Sequence, residues 1–421
     1  MRTLLRLTIV GALFLACAHA QTPLPLGTPH EYTLPPDKLA QAKAFAFIEN
    51  VLYFASTAAT LAALALLVWF RAGPGVRNRM ERISQRPTLV VLLSALVLLL
   101  IITAIGLPFD IWGHTVSLRF GISIQSWASW LWDWIKAELI TLLLATLVTA
   151  GFYWLLRRSP RRWWLWAWLV SLPLTAATVF LEPLIIEPLF NRFEPLASTH
   201  PELVAPIERI LARAGVAIPR DRLFEMMAGE KTTALNAYVT GIGSSKRVVL
   251  YDTIIAAEPA APLMTTFGHE LGHYALGHIR QGMAFSAALS FVGFLLCYAI
   301  AGYVARRYGT ALQIRGLADI ASAPLFALIA LALAVAAEPI ADGFSRWQEH
   351  QADIYSLEVT RGVIPDNGAA AARAFQIEGE RDLADPTPNP FIVFWLYTHP
   401  PVADRLRFAL AYHPAVPKCV R

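Results

Sequence analysis

The stretch Phe267-Gly268-His269-Glu270-Leu271-Gly272-His273-Tyr274 decides how the rest of this 421-residue chain is read. On a helix, positions four apart share a face, so the imidazoles of His269 and His273 can reach one metal ion. Glu270 then stands close enough to take a proton from water activated there. Both flanks are apolar, and Gly272 lets another group approach closely. A helix carrying two satisfied histidines and a solvated glutamate is the plainer alternative, and so short a pattern does not by itself exclude it.

A catalytic zinc takes three protein ligands and keeps its fourth position open. A third histidine on the same segment would require glycine at 276 and histidine at 279, where the chain has Leu276 and Ile279. The other known arrangement takes a glutamate from a later helix, with an aspartate four residues on that orients a ligating histidine. Ser345-Arg346-Trp347-Gln348-Glu349-His350-Gln351-Ala352-Asp353 supplies Glu349 and Asp353 on one helical face. The expected cofactor is one Zn2+ on His269, His273 and Glu349, with Glu270 as general base.

Composition places this pattern in a membrane protein: 15% of residues are charged and 56% hydrophobic, too few and too many for an ordinary soluble chain. Apolar runs near the roughly 20 residues needed to span a bilayer are Val51 to Phe70, Leu89 to Leu107, Leu139 to Leu156, Trp163 to Leu181, Met283 to Ala305 and Ile320 to Ala337. Tryptophans at 127, 130, 132, 134, 163, 164 and 166 suit interfacial belts. At the N-terminus, Arg2 and Arg6 precede the apolar stretch Leu7 to Ala18 and then Ala18-His19-Ala20, so residues 1–20 read as a signal peptide or a first membrane anchor. A lipid-modified Cys17 is a weaker reading. Cys17, Cys297 and Cys419 lack zinc spacing and imply no disulfide framework.

Arginines give an orientation. Arg71, Arg77, Arg79, Arg82 and Arg86 share one loop, Arg157, Arg158, Arg161 and Arg162 a second, and Arg306, Arg307 and Arg315 a third. If six spans alternate, all three loops fall on one side, which the positive-inside rule makes cytoplasmic. Both halves of the zinc site then lie on the other side. Contact with lipid headgroups is the main reading of these arginines, and they account for the net charge of +5, so no nucleic-acid partner is expected.

Residues 201 to 280 form the one long stretch of soluble character. Glu202 to Gly215 has helical spacing, with Leu203, Ile207, Ile210 and Leu211 on one face. Strand-like runs follow at Arg222 to Met227, Leu235 to Thr240 and Arg247 to Tyr251, the last two joined by a turn at Gly241, Gly243, Ser244 and Ser245. An edge strand beside a zinc helix can hold an extended peptide by main-chain hydrogen bonds. Asn236 reads either as a turn residue or as an amide aimed at substrate or oxyanion.

Several short motifs now stand in one order: Leu107-Pro108-Phe109-Asp110 with Arg119-Phe120-Gly121, then Ile186-Glu187-Pro188-Leu189-Phe190-Asn191, Asn236-Ala237-Tyr238 and Leu250-Tyr251-Asp252-Thr253. The zinc helix continues through Gly277-His278, and Thr398-His399-Pro400-Pro401 with Arg405 completes the set. In these motifs the chain, from about Pro25 on, resembles the type I CAAX prenyl endopeptidases, membrane-embedded zinc metalloproteases related to bacterial heat-shock membrane proteases. The resemblance implies a mainly α polytopic barrel around a water-filled chamber, with a small α+β catalytic domain. It implies His269, His273 and Glu349 as zinc ligands, Glu270 as base, and Asp353 as orienting group or proton donor. Asn236 and His399 would stabilise the tetrahedral intermediate, and Asn236, Tyr238 and Arg405 would hold substrate.

The chain thus divides into a leader at 1–20, an N-terminal transmembrane domain at 25–200, and a metallopeptidase domain at 201–421 with two further spans. Its expected activity is peptide-bond hydrolysis by zinc-activated water, in C-terminal processing or membrane-protein quality control. Substrates would be peptides or proteins, membrane-associated or lipidated among them. The leader and compact loops suggest a bacterial inner membrane. The rival reading is a non-proteolytic membrane scaffold stabilised by zinc, or a transporter. Glu182, Glu187 and Glu338 read as cavity-rim or snorkelling carboxylates, His278 as structural, and His114, His200 and His413 as surface histidines.

Overall fold

The structure is a computed structural model and describes residues 29–241 and 245–413. The leader with Cys17, the turn residues Gly243 and Ser244, and Cys419 lie outside the described residues. The main helices are Pro36–Trp69 (α1), Ala72–Ile83 (α2), Pro87–Arg119 (α3), Trp127–Arg158 (α4), Trp163–Leu181 (α5), Pro201–Arg213 (α6), Ala260–Ala275 (α7), His278–Tyr308 (α8), Ala323–Thr360 (α9), Asn367–Arg381 (α10), Pro390–Leu396 (α11) and Val402–Ala411 (α12). A π turn at Glu182–Ile186 carries α5 on to Phe190.

Six of these helices, α1, α3, α4, α5, α8 and α9, are long and apolar enough to cross a membrane. Each contains one of the six apolar runs, apart from Phe70 just after α1 and Ile320–Ser322, a 3-10 turn leading into α9. On α4, Leu139, Leu143 and Leu147 recur every four residues and are all more than half exposed, a stripe that only lipid or another apolar surface would cover. Several helices exceed a span: α3 has 33 residues, roughly 50 Å at 1.5 Å per residue, against a hydrocarbon layer of about 30 Å. The surplus reaches the catalytic domain, where Ile124 after α3 donates to the Lys231 carbonyl at 3.3 Å.

The opposite end of the bundle gathers the arginines. Arg77 on α2 is buried and paired with Asp319 at the start of the last span, and Arg315 pairs with Glu81. This corrects the headgroup reading for Arg77 and Arg315, which tie α2 to the loop before α9. The interfacial role fails likewise for Trp163, 1% exposed among Phe152, Tyr298 and Phe326. His114 is not a surface histidine: it is buried, stacked on Trp130 and edge-on to Trp127.

The catalytic domain is built on a four-stranded sheet of Phe193–Pro195 (β1), Leu223–Met226 (β2), Ala237–Thr240 (β3) and Arg247–Tyr251 (β4), in the order β1-β2-β4-β3. β2 and β4 run parallel, the other pairs antiparallel, and β3 is an edge. β4 is buried along its whole length, consistent with the apolar run Val248-Val249-Leu250. Leu203, Ile207, Ile210 and Leu211 on α6 share one core with this sheet and with Leu263, Phe267 and Leu271 of α7.

The other side of α7 meets α9 at very short range. A Cβ added at Gly272 would lie 3.1 Å from the Tyr355 Cβ and 3.2 Å from the Ala352 Cα, and one at Gly268 would lie 3.1 Å from the Ser356 Oγ. Glycine at both positions therefore sets the α7–α9 separation. α9 is one continuous helix that runs from the sixth span, past Pro339, into Ser345–Asp353. The second half of the site thus rides on a membrane-spanning element.

Candidate active site

One turn of α7 and one turn of α9 converge. His269 Nε2 lies 3.1 Å from Glu349 Oε2 and 3.1 Å from His273 Nε2, and His273 Nε2 lies 3.5 Å from Glu349 Oε1. One donor atom from each residue falls within 4.8 Å of the other two. Bonds of about 2.0–2.2 Å in a tetrahedron put ligand atoms roughly 3.3–3.5 Å apart, so the spacing fits a single ion. The donor set fits too: two imidazole nitrogens and one carboxylate, with Glu349 buried where an uncompensated charge would be costly.

The outer contacts fix which nitrogens face inward. Asp353 Oδ1 is 2.8 Å from His269 Nδ1, so it accepts that N–H and leaves Nε2 to face Glu349 and His273. Arg405 grips the same carboxylate with both arms of its guanidinium, Nη2 to Oδ1 at 2.7 Å and Nε to Oδ2 at 3.0 Å. Its ring-facing side covers Phe375 at 4.3 Å. For His273 the partner is His278, Nδ1 to Nδ1 at 3.0 Å. His278 thus stands against a neighbour and outside the three-donor cluster, and its signal is the Gly-His pair just after α7. Gly277 has φ +73°, a left-handed turn that ends α7 and swings His278 back over it.

Glu270 lies beside the ligands, its Oε1 4.0 Å from His269 Nε2. Burial pushes its carboxyl above the ordinary glutamate range, against the pull of both imidazoles. His399 comes from the loop before α12, with Nε2 3.3 Å from Glu349 Oε2 and Nδ1 2.9 Å from the Thr398 hydroxyl. Arg346 shapes that loop by donating to the carbonyls of Val393, at 2.9 Å, and Tyr397. Asn236, immediately before β3, lines the cavity, its side chain near the Tyr251 hydroxyl. The Tyr238 hydroxyl donates to Glu187 at 2.6 Å, and Arg247 pairs with the same oxygen. Tyr238 and Glu187 therefore anchor the edge strand to the extension of α5.

These groups open on a cavity of about 290 Å³ whose walls include Asn236, His269, Glu270, His399 and Arg405. Its far wall carries two residues that sequence reasoning passed over, Glu378 and Asp382, an acidic pair at i and i+4 at the end of α10. Their signal was faint: two acids in an alanine-rich helix, with no motif around them.

Two family profiles match the chain. One, described as peptidase family M48, matches residues 197–413, and the other, the CAAX prenyl protease N-terminal region of five membrane helices, matches residues 16–192. An uncharacterized metalloprotease, YhfN, of Bacillus subtilis is 33% identical over 89% of this chain and 86% of its own length. CAAX prenyl protease 1 of Saccharomyces cerevisiae is 26% identical over 72% of this chain and 68% of its own. The crystal structure of Ste24p from S. mikatae superposes with a TM-score of 0.77 at 22% identity, covering 90% of this chain and 89% of the other, which establishes likeness of fold.

Proposed function

This chain belongs to peptidase family M48, and from that membership we propose that it is a zinc-dependent endopeptidase with one ion on His269, His273 and Glu349. That it is an integral, multi-pass membrane metalloprotease follows from the family and the six apolar helices. The observation that carries the zinc reading is the convergence of three donor atoms from α7 and α9 within 4.8 Å. A scaffold would need neither a base beside the ligands nor a cavity leading to them.

Zinc held there supplies a Lewis acid for the scissile carbonyl and lowers the pKa of water into the neutral range. The residues do the rest. Glu270, beside the ligands, takes the proton from the attacking water and passes it to the leaving amine. With the Thr398 hydroxyl donating to Nδ1, His399 presents Nε2–H toward the ligand cluster, where negative charge develops on the carbonyl oxygen. Asn236 holds the substrate at the start of the edge strand, and a peptide extended along the open side of β3 would present its carbonyl to the same point. Arg405 acts through Asp353 on His269.

We place the site outside the cytoplasm of a bacterial inner membrane, because the arginine-rich loops gather at the end of the bundle away from α7. The transmembrane domain is taken as 25–200 and the metallopeptidase domain as 201–421. Membrane-associated proteins, lipidated ones among them, are the proposed substrates. The test is hydrolysis by protein purified in detergent, with casein and a farnesylated peptide as substrates, a chelator, and Glu270→Gln in parallel. Loss of cleavage with zinc still bound in the variant is expected. A variant as active as the native chain would end the protease reading, and a phosphatase fused after Pro201 that stayed inactive would end the orientation.

A further inference from the structure

We propose that Glu378 and Asp382 form a subsite of the catalytic cavity that receives a lysine or arginine side chain of the substrate. The proposal rests on the protease reading above. The two residues sit one turn apart at the C-terminal end of α10, where the helix carbonyls add negative potential. They line the same cavity as His269, Glu270 and His399, so a peptide held at the metal has its neighbouring side chains within their reach.

A third carboxylate backs the pair and lacks its full complement of partners. Glu258 is 5% exposed, and its Oε2 takes the Thr266 hydroxyl at 3.0 Å. The same hydroxyl lies 3.4 Å from Glu378 Oε1, so one proton faces two carboxylates. Glu258 Oε1 and Asp382 Oδ1 are both buried without a hydrogen-bond partner. No lysine or arginine forms an ion pair with any of the three among the described residues: Arg405 is engaged with Asp353 through Nε and Nη2 and acts on Glu378 from beyond pairing distance, as Arg381 does on Asp382. Glu258 is buried and Glu378 and Asp382 are half-buried; carboxylates left this way are costly, and a cation entering from the cavity offsets that cost.

The cation belongs to a peptide because of what stands beside Asp382. Its carboxylate lies near the Leu235 backbone N–H, next to Asn236 and two residues from the edge strand, and all three residues line the cavity. A chain extended along β3 passes that point, and alternate side chains of an extended peptide turn to one face. Burial, with Glu378 beside it, pushes Asp382 up to about 7, so an ammonium or guanidinium there would restore its ionised form.

The experiment uses the full chain in detergent and internally quenched peptides carrying lysine, arginine, norleucine or glutamate at each position around the cleaved bond. At one position kcat/KM should favour the cationic residues over norleucine by about tenfold or more, and glutamate should be rejected. In Glu378→Gln and in Asp382→Asn that ratio should fall toward one, read as a ratio so that a general loss of folding, which slows all peptides alike, does not imitate it. No positional preference in the native chain, or an unchanged ratio in both variants, overturns the subsite while leaving the protease reading intact. Native protein that cleaves no peptide fails both. A second metal ion per chain, lost in these variants, shows that the carboxylates hold a metal and overturns the subsite.

Discussion

Asp353 stands between His269 and Arg405 with a single oxygen, Oδ1, 2.8 Å from the imidazole Nδ1 and 2.7 Å from the guanidinium Nη2. This ties the metal-facing nitrogen of α7 to a residue of α12 through a carboxylate on α9. Asp353→Asn keeps the shape and removes the charge, and it should weaken zinc binding about 10–100-fold. Arg405→Lys cannot fork and should fall between. Chelator competition measures both, and an affinity equal to that of the native chain in Asp353→Asn sinks the linkage.

Gly272→Ala should separate α7 from α9, because its Cβ would meet the Ala352 Cα at 3.2 Å and the Tyr355 Cβ at 3.1 Å. Overpacking of this kind costs about 1–3 kcal/mol. A lower Tm and weaker zinc binding are expected together, since the same contact spaces His273 from Glu349. Gly75→Ala on α2 meets nothing within 4 Å and should leave both unchanged or slightly raise the Tm.

Asp319→Ala would leave Arg77 buried without its counter-charge, a loss of about 3–5 kcal/mol. Arg315→Ala removes an exposed pair with Glu81 and should cost within about 1 kcal/mol. Thermal unfolding in detergent ranks the two. Equal effects would mean that the arginine-rich end is held by lipid contact alone.

Asp382 gives a pH dependence. Its folded pKa of about 7 lies above an unfolded value near 4, so the folded state keeps the proton longer. Its contribution to stability therefore declines as pH rises from about 4 to about 7 and is level above that. Asp382→Asn removes the decline: the variant should melt higher than the native chain at pH 8 and no higher at pH 4. A gain that is larger at pH 4 contradicts the assignment.

Much of the site was legible before any fold was known. His269, Glu270 and His273 follow from helical spacing, and Glu349 with Asp353 from a second spacing of four. The apolar runs at 51–70, 89–107, 139–156, 163–181, 283–305 and 320–337 each coincide with a long helical span, the first overrunning its helix by Phe70 alone. Less legible was what those helices do beyond the bilayer. Nothing in Ile320 to Ala337 announces that the same helix continues to Thr360, because Pro339 reads as a break and is tolerated inside it. His114 and Trp163 were misread for the opposite reason: a polar or amphipathic side chain advertises a surface, and burial among aromatics is a property of neighbours far away in the chain.

The amino-acid sequence by itself determined which donor groups are on offer and which runs are long enough to cross a membrane, since residue type, spacing of four and uncharged length are all local properties of the chain. Only the tertiary structure decided what those residues face. Gly268 and Gly272 bring α7 onto α9 closely enough for one ion to bridge them. Thr398-His399 is turned onto Glu349 by the Arg346 clamp. Glu378 and Asp382 reach the cavity only because α10 packs behind the site. Those contacts join positions tens to more than a hundred residues apart, and side-chain pairing at that range is set by packing, which no local pattern encodes.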